Sequence, residues 1–217
     1  MSSRLPLFLL PALCQNRISI FRYGFDFTPC ENQKPQENSC SFYTGFAIVS
    51  SDPKKHLIAS EHDITHLTIS VPEQKMQLRQ GKRILAVYSI STSKFGLGFR
   101  EGSLQTPLGR FYIHAKIGVG APLGEIFRGR QPTGVLAVQG GEEDLITTRI
   151  LWLGGLDEDN ANTQSRYIYI HGTNQEHLLG IPASHGCIRM KNTEICELFD
   201  RVHTNDQVFI LNTSLDA

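Results

Sequence analysis

Short alternating runs of apolar and polar residues follow one another from residue 66 onward, and they predict β-strands. In "HLTISV", Leu67, Ile69 and Val71 lie on one face, while threonine and serine lie on the other. Two more runs, "MQLR" and "RILAVYSI", follow the short polar stretches "PEQK" and "QGK". Strands joined by such tight turns predict an antiparallel β-meander.

Further strands are predicted later in the chain. The segments "GRFYIHAKI", "LITTRILWLGG" and "QVFIL" are rich in β-branched and aromatic residues, as strands usually are. In "RYIYIHG", the alternation predicts that Tyr167, Tyr169 and His171 share one face of a strand, with Ile168 and Ile170 on the other. The pattern as a whole predicts a mainly β domain of antiparallel strands.

One helix is predicted before the last strand. We expect Asn192 to cap it, because an asparagine side chain accepts hydrogen bonds from the first helical turn. Four apolar residues at helical spacing mark its buried face: Ile195, Leu198, Phe199 and Val202. Cys196 lies at the flank of this stripe, so we expect it to pack and not to react.

Residues 1–63 show no sustained period and predict an irregular segment ahead of a domain over residues 64–212. The start, "MSSRLPLFLLPALCQ", resembles a secretory signal, but its apolar run is short and two prolines interrupt it. Export would place the protein in the periplasm or cell envelope, and retention would place it in the cytoplasm. No stretch approaches the roughly 20 apolar residues of a membrane span, so no integral membrane segment is predicted.

Composition narrows the class of partner. Lys plus Arg equals Asp plus Glu, at 21 each, so the chain has no net charge to attract nucleic acid. The five cysteines are an odd number without a CxxC pair, which disfavours a disulfide framework and a common zinc motif. Cys30 and Cys40 could pair in an oxidising compartment, and the sequence leaves their state open.

The segment "IPASHGCIRM" carries the candidate chemistry. A cysteine becomes a nucleophile when a nearby histidine or arginine favours its thiolate, and His185, Cys187 and Arg189 would share a face if the segment were extended. His171 is a second candidate partner, because it ends a predicted strand at a glycine. Gly186 would let the backbone turn so that N–H groups near Cys187 point at an attacked carbonyl.

Two other interpretations of this segment compete with catalysis. A lone cysteine or histidine is more often a packed core residue than a catalyst. Zinc is the second alternative, since His171, His177, His185, Cys187 and Cys196 supply enough ligand atoms. Their spacing matches no common zinc pattern, so we predict no metal site.

Taken together, "YIYIHG" and "IPASHGCIRM" resemble the signature of the L,D-transpeptidase catalytic-domain family (YkuD type). That signature is a strand ending in His-Gly, a loop, and Ser-His-Gly-Cys followed by an apolar residue and Arg or Asn. The segment "VYSISTSKFGLGFREGSLQTPLGRFYI" is similar to the family's strand, glycine-rich loop and "TPxGxF" motif. The resemblance covers about residues 64–212 and implies an antiparallel, β-sandwich-like domain that needs no metal or organic cofactor.

The resemblance also implies roles for the matched residues. Cys187 matches the nucleophile, and His171 matches the general base, which the Gly172 carbonyl orients. The position of Arg189 implies contact with a substrate carboxylate, and Ser184 matches a residue that fixes the loop. His185 and Gly186, with the Cys187 N–H, match the region that holds the substrate and stabilises the oxyanion.

The implied substrate is a peptidoglycan stem tetrapeptide. Cys187 would attack the carbonyl of the third residue, expel the terminal D-alanine and pass the acyl group to an amine. Transfer to water would instead make the protein an L,D-carboxypeptidase of cell-wall recycling. A non-catalytic binding domain is the alternative outside enzymes, although neither His171 nor Cys187 is replaced. The acceptor and the oligomeric state stay open.

Overall fold

The alternating pattern that begins near residue 66 forms three antiparallel strands in succession. These are β1 (Thr65–Ser70), β2 (Lys75–Gln80) and β3 (Arg83–Ser91), and the predicted meander is confirmed. The remaining strands and the α-helix are β4 (Gly109–Ile117), β5 (Glu125–Arg128), β6 (Gln131–Leu136), β7 (Thr147–Gly155), β8 (Tyr169–Gly172), β9 (Ile188–Met190), α1 (Asn192–Arg201) and β10 (Gln207–Leu211), and two short 3-10 helices span Ala161–Thr163 and Glu176–Leu178.

The computed structural model describes residues 64–215. The predictions for residues 1–63, namely the irregular segment, the leader and the Cys30–Cys40 pair, lie outside that range. Within it, α1 is the only α-helix, and no helix has both the length and the apolar character needed to cross a membrane.

All ten strands belong to one sheet with the order β4-β10-β1-β2-β3-β9-β8-β7-β5-β6. An additional antiparallel pairing joins β4 to β7, so eight of the strands close into a ring and the β5–β6 hairpin extends from β7. The pairs β1–β10 and β8–β9 are parallel. The expected mainly β fold with one helix before the last strand is confirmed, but the sheet is mixed and barrel-like and not a strictly antiparallel sandwich.

The helix α1 packs against β7 and β8 and closes the main core. Ile195, Leu198 and Phe199 are buried as the periodicity predicts. The predicted cap is wrong, because Asn192 is the first helical residue and Lys191 occupies the cap position. The Asn192 side-chain amide instead donates to the Thr173 carbonyl at 2.7 Å, and its oxygen accepts from the Thr147 hydroxyl at 2.6 Å. Asn192 therefore joins α1 to the strands beside the site.

Two further differences from the sequence prediction lie close to the site. The β5–β6 hairpin was missed, because every residue of β6 is exposed and its sequence shows no alternation. The strand β8 begins at Tyr169 and not near residue 167, since Tyr167 adopts a positive φ of 57° and turns the chain. This turn directs the Tyr167 carbonyl toward Cys187.

Candidate active site

The parallel pairing of β8 with β9 brings the two halves of the sequence motif together. Ile170 pairs with Ile188, and His171 pairs with Arg189. Cys187 immediately precedes β9, so it lies beside the N-terminal end of β8. Neighbouring strands are about 4.8 Å apart, and paired residues of parallel strands point to the same face. The nucleophile candidate and the base candidate therefore share one face of the sheet.

The Cys187 thiol lies against a small apolar cluster formed by Phe127, Ile150 and Tyr169. Its Sγ accepts a hydrogen bond from the Tyr169 N–H at 3.4 Å and donates to the Tyr167 carbonyl at 3.4 Å. Burial raises the pKa of the thiol to about 12, because a thiolate loses its hydration there, and the Tyr169 N–H only partly offsets this effect. The resting thiol is therefore protonated.

His171 is buried, with only 3% of its surface exposed. Its Nδ1 lies 2.7 Å from the Gly172 carbonyl, and a carbonyl only accepts, so Nδ1 carries the proton and Nε2 is the basic atom. Burial lowers the pKa of His171, and the hydrogen bond to Gly172 opposes that shift. A side chain at Gly172 would place its Cβ 2.8 Å from the Thr147 carbonyl oxygen, which explains the glycine.

Hydrogen bonds fix the loop before β9 at Ser184, Gly186 and Cys187. Gly186 has φ of +120°, a conformation that side chains rarely adopt. The Ser184 hydroxyl donates to the Cys187 carbonyl at 2.6 Å and accepts from the Gly186 N–H at 3.3 Å. The Thr106 hydroxyl donates to the Gly186 carbonyl at 3.0 Å. The prediction that His185, Cys187 and Arg189 share one face requires an extended segment over residues 184–189. In the structure only residues 188–190 form a strand, so the segment is less extended than predicted.

A cavity of about 310 Å³ opens at this point and brings the candidate residues together. Cys187, His171 and His185 line it together with Asp144 and Ile146. Asp144, on the β6–β7 loop, was missed by the sequence analysis, because nothing in the polar run "GGEEDL" distinguishes it from its neighbours. Its carboxylate accepts from His185 Nδ1 at 2.8 Å and from Arg189 Nη1 at 3.1 Å.

Arg189 does not line the cavity. The residue is fully buried, and besides Asp144 it donates to Gln175 Oε1 at 2.8 Å and to the Ser91 hydroxyl at 3.0 Å. The family resemblance implied that Arg189 contacts a substrate carboxylate, whereas its Nη atoms bind Asp144, Gln175 and Ser91. Burial raises the pKa of Asp144, but the hydrogen bond from His185 and the charge of Arg189 outweigh it and hold that pKa below its usual range.

The part of the chain that the structure describes contains no cluster of side chains that could bind a metal ion. No group of three or more His, Cys, Asp or Glu side chains there has an arrangement that could hold an ion. His185 and Asp144 bind each other, and Cys196 lies half-buried on α1. What the arrangement offers is a thiol, a buried imidazole and a carboxylate–imidazole pair around one cavity, a set of groups suited to nucleophilic acyl transfer.

Sequence comparison gives a match to one family. A family model described as the L,D-transpeptidase catalytic domain (YkuD) matches residues 64–210. The Bacillus subtilis (strain 168) protein YkuD, named as an L,D-transpeptidase, is 27% identical over 145 residues, which is 67% of this chain and 65% of that protein. YqjB of the same organism, also named as an L,D-transpeptidase, is 41% identical over 59 residues, 27% of this chain and 32% of that protein. The chain thus spans less than two thirds of the length of these curated relatives.

Solved structures of similar chains carry the same family name. An L,D-transpeptidase from Mycobacterium smegmatis has a TM-score of 0.45 at 15% identity, and the match covers 68% of this chain and 58% of that one. An L,D-transpeptidase from Xylanimonas cellulosilytica has a TM-score of 0.45 at 17% identity, and the match covers 69% of this chain and 61% of that one.

Proposed function

Because this chain belongs to the family of L,D-transpeptidase catalytic domains, we propose that it transfers the acyl group of a peptidoglycan stem tetrapeptide through a thioester on Cys187. The observation that carries the proposal is the meeting of Cys187 and His171 in one cavity, with the Gly172 carbonyl fixing the proton of His171 on Nδ1. A thiol beside an imidazole of fixed tautomer is the arrangement of an activated cysteine nucleophile.

In the first half-reaction, His171 Nε2 takes the thiol proton as Sγ attacks the carbonyl of the third residue of the stem. A C–S bond forms, and the carbonyl oxygen becomes an oxyanion. The C–N bond to the terminal D-alanine then breaks, and the proton on His171 passes to the departing amine. The resting pair is neutral, since burial raises the pKa of Cys187 and lowers that of His171.

The glycine before the nucleophile supports the oxyanion in this proposal. Gly186 turns the backbone, and the Thr106 hydroxyl holds the Gly186 carbonyl, so the direction of the peptide unit between residues 186 and 187 is set before substrate binds. The Gly186 N–H already points at the Ser184 hydroxyl. We therefore assign the oxyanion to the Cys187 N–H, because a preorganised backbone donor is worth more than one that must move.

The nucleophile is tested by trapping the acyl-enzyme. A carbapenem has a reactive lactam carbonyl, and incubation with the protein should add one carbapenem mass, detected on the intact chain. Cys187→Ala should remove the adduct entirely. Cys196→Ala is the matched control and should keep it, since that thiol is half-buried on α1 away from the cavity lining. An adduct that persists in Cys187→Ala would place the nucleophile elsewhere.

The fate of the thioester distinguishes the two outcomes that the same first step allows. Incubation with a purified disaccharide-tetrapeptide, followed by mass spectrometry, gives a crosslinked dimer if an amine accepts the acyl group. It gives a disaccharide-tripeptide if water does. We expect the dimer, and tripeptide alone would make the protein an L,D-carboxypeptidase.

A further inference from the structure

Asp144 enters the cavity from a loop that is fixed on both sides. The side-chain amides of Asn174 and Gln175, just after β8, donate to the backbone carbonyls of residues 141–143 at distances between 2.9 and 3.4 Å. The Asn174 amide oxygen accepts from the Leu145 N–H at 3.2 Å. These hydrogen bonds fix the backbone before and after Asp144, and its carboxylate lies between His185 and Arg189.

The buried Arg189 orients that carboxylate. Arg189 Nη1 donates to one carboxylate oxygen of Asp144 at 3.1 Å, and the other oxygen lies 2.8 Å from His185 Nδ1. A carboxylate held by a guanidinium is ionised and only accepts, so His185 Nδ1 must carry a proton. In the neutral imidazole, Nε2 is then the unprotonated atom. The Asp144–His185 pair thus forms a second base in the cavity beside Cys187.

The two histidines differ in how far each is exposed to solvent. His171 is 3% exposed, whereas 44% of the His185 side chain is exposed. An acyl acceptor arrives from solvent after D-alanine has left, so it meets His185 first.

We infer that Asp144 is a positioning residue for His185, and that this pair accepts the proton of the acyl acceptor in the second half-reaction. The inference rests on the proposed function. The acceptor amine attacks the thioester carbonyl, a C–N bond forms, and one amine proton moves to His185 Nε2. The C–S bond then breaks to release the Cys187 thiolate, which takes a proton from solvent while His185 returns its own to solvent. The net transfer leaves both side chains neutral.

Asp144→Asn is the direct test. The guanidinium of Arg189 draws the amide oxygen of the new side chain, which turns the NH2 group toward His185 and reverses the imidazole tautomer. Acylation by a carbapenem should stay within about threefold of the wild-type rate. Transfer from a tetrapeptide thioester to an amine should fall by about 10² or more, the usual contribution of a general base. The thioester should accumulate and be visible by intact mass.

His185→Gln gives the same test without a buried substitution, because this side chain is largely exposed. It should show the same split between acylation and transfer. The matched control is Glu143→Gln, which removes an adjacent carboxylate that forms an exposed ion pair with Arg128, and both rates should stay at the wild-type level. Nitrogen-15 NMR should show His185 protonated at Nδ1 in the wild type and at Nε2 in Asp144→Asn.

Two results would overturn the inference. Equal losses in acylation and transfer would reduce Asp144 to a structural role, and unchanged transfer in His185→Gln would remove His185 from the step. Failure of the proposed function is a separate result, because the wild-type protein would then form no Cys187 adduct at all.

Discussion

At the scale of single residues, burial acts in opposite directions on the two reacting groups. It raises the pKa of the Cys187 thiol to about 12 and lowers the pKa of the His171 imidazole below its ordinary 6.5. A preformed thiolate–imidazolium pair is therefore disfavoured. The thiol proton must move during attack, so the reactivity of Cys187 depends on a neutral His171.

This dependence predicts the pH profile of acylation. The rate constant for carbapenem acylation should be sustained above pH 6.5 and should decline as the pH falls through the lowered pKa of His171, because the protonated imidazole cannot accept a proton. His171→Gln should reduce the rate constant by about 10² to 10⁴ and remove this decline. Stopped-flow or quenched mass spectrometry measures both. A rate that climbs tenfold per unit between about pH 7 and about pH 9 would instead indicate attack by a preformed thiolate.

The sequence predicts part of this site. His171 and Cys187 could be predicted because each lies in a short motif of consecutive residues, "YIYIHG" and "IPASHGCIRM". Asp144 could not, because its role comes from the fold of a polar loop and not from its neighbours in sequence. The burial of Arg189 was missed for the same reason, since its partners Ser91 and Gln175 are distant along the chain.

At the scale of elements, the β5–β6 hairpin contacts the residues that hold the nucleophile. Its tip residue Arg130 lies over the rings of Trp152 and Tyr167, at 4.6 and 5.1 Å from their centroids. Arg130 Nη1 also donates to the Tyr169 hydroxyl at 3.2 Å. The Tyr167 carbonyl and the Tyr169 N–H both bind Cys187 Sγ. The same two tyrosines therefore contact the hairpin tip through their side chains and the thiol through their backbone. The cation–π contacts therefore fasten the hairpin beside the active site.

Removing the hairpin tip contact should release the hairpin. In Arg130→Ala, backbone amides of residues 125–136 should exchange hydrogen faster than in the wild type, because the hairpin tip loses the Arg130 contacts with Trp152, Tyr167 and Tyr169. Arg128→Ala is the control in the same hairpin, since Arg128 makes an exposed ion pair with Glu143. Exchange monitored by mass spectrometry should be near wild type there. Equal exchange in the two variants would show that Arg130 does not fasten the hairpin.

The elements of the main sheet were largely predictable, and the hairpin was not. Strands β1 to β4, β7 and β10 bury one or both faces, so burial imposes the alternation or the apolar run that the sequence shows. The strand β6 buries neither face, so no such pattern is imposed on it. The strand β9 is only three residues long, too short for any period to appear.

At the scale of the whole molecule, the pairings that close the ring join distant parts of the chain. Periodicity shows which face of a strand is buried, but it does not show which strand lies beside it. The parallel pairs β1–β10 and β8–β9 and the β4–β7 pairing were therefore beyond the sequence analysis. The β8–β9 pairing is the one that assembles the site, so the geometry of His171 and Cys187 depends on the closed ring.

A closed ring should unfold as one cooperative unit, and the β4–β7 pairing is where this can be tested. Ile113 on β4 pairs with Leu153 on β7, and both are fully buried in the main core. Ile113→Ala should lower the free energy of unfolding by about 2–5 kcal/mol, from lost burial and the cavity left behind. Val119→Ala, at a position 83% exposed, should change it by less than about 0.5 kcal/mol.

Trp152, the single tryptophan of the chain, lies on β7, where it pairs with Ala115 of β4 and with Tyr169 of β8. In urea, its fluorescence should change at the same midpoint as the far-ultraviolet circular dichroism, in the wild type and in Ile113→Ala alike, with the variant's midpoint lower. A fluorescence transition that precedes the loss of circular dichroism, in Arg130→Ala as well, where the hairpin contact with Trp152 is already gone, would mean that β4 and β7 separate while the rest of the sheet stays folded. The eight strands would then form an open sheet with a weak edge contact, and the β8–β9 site would not depend on closure.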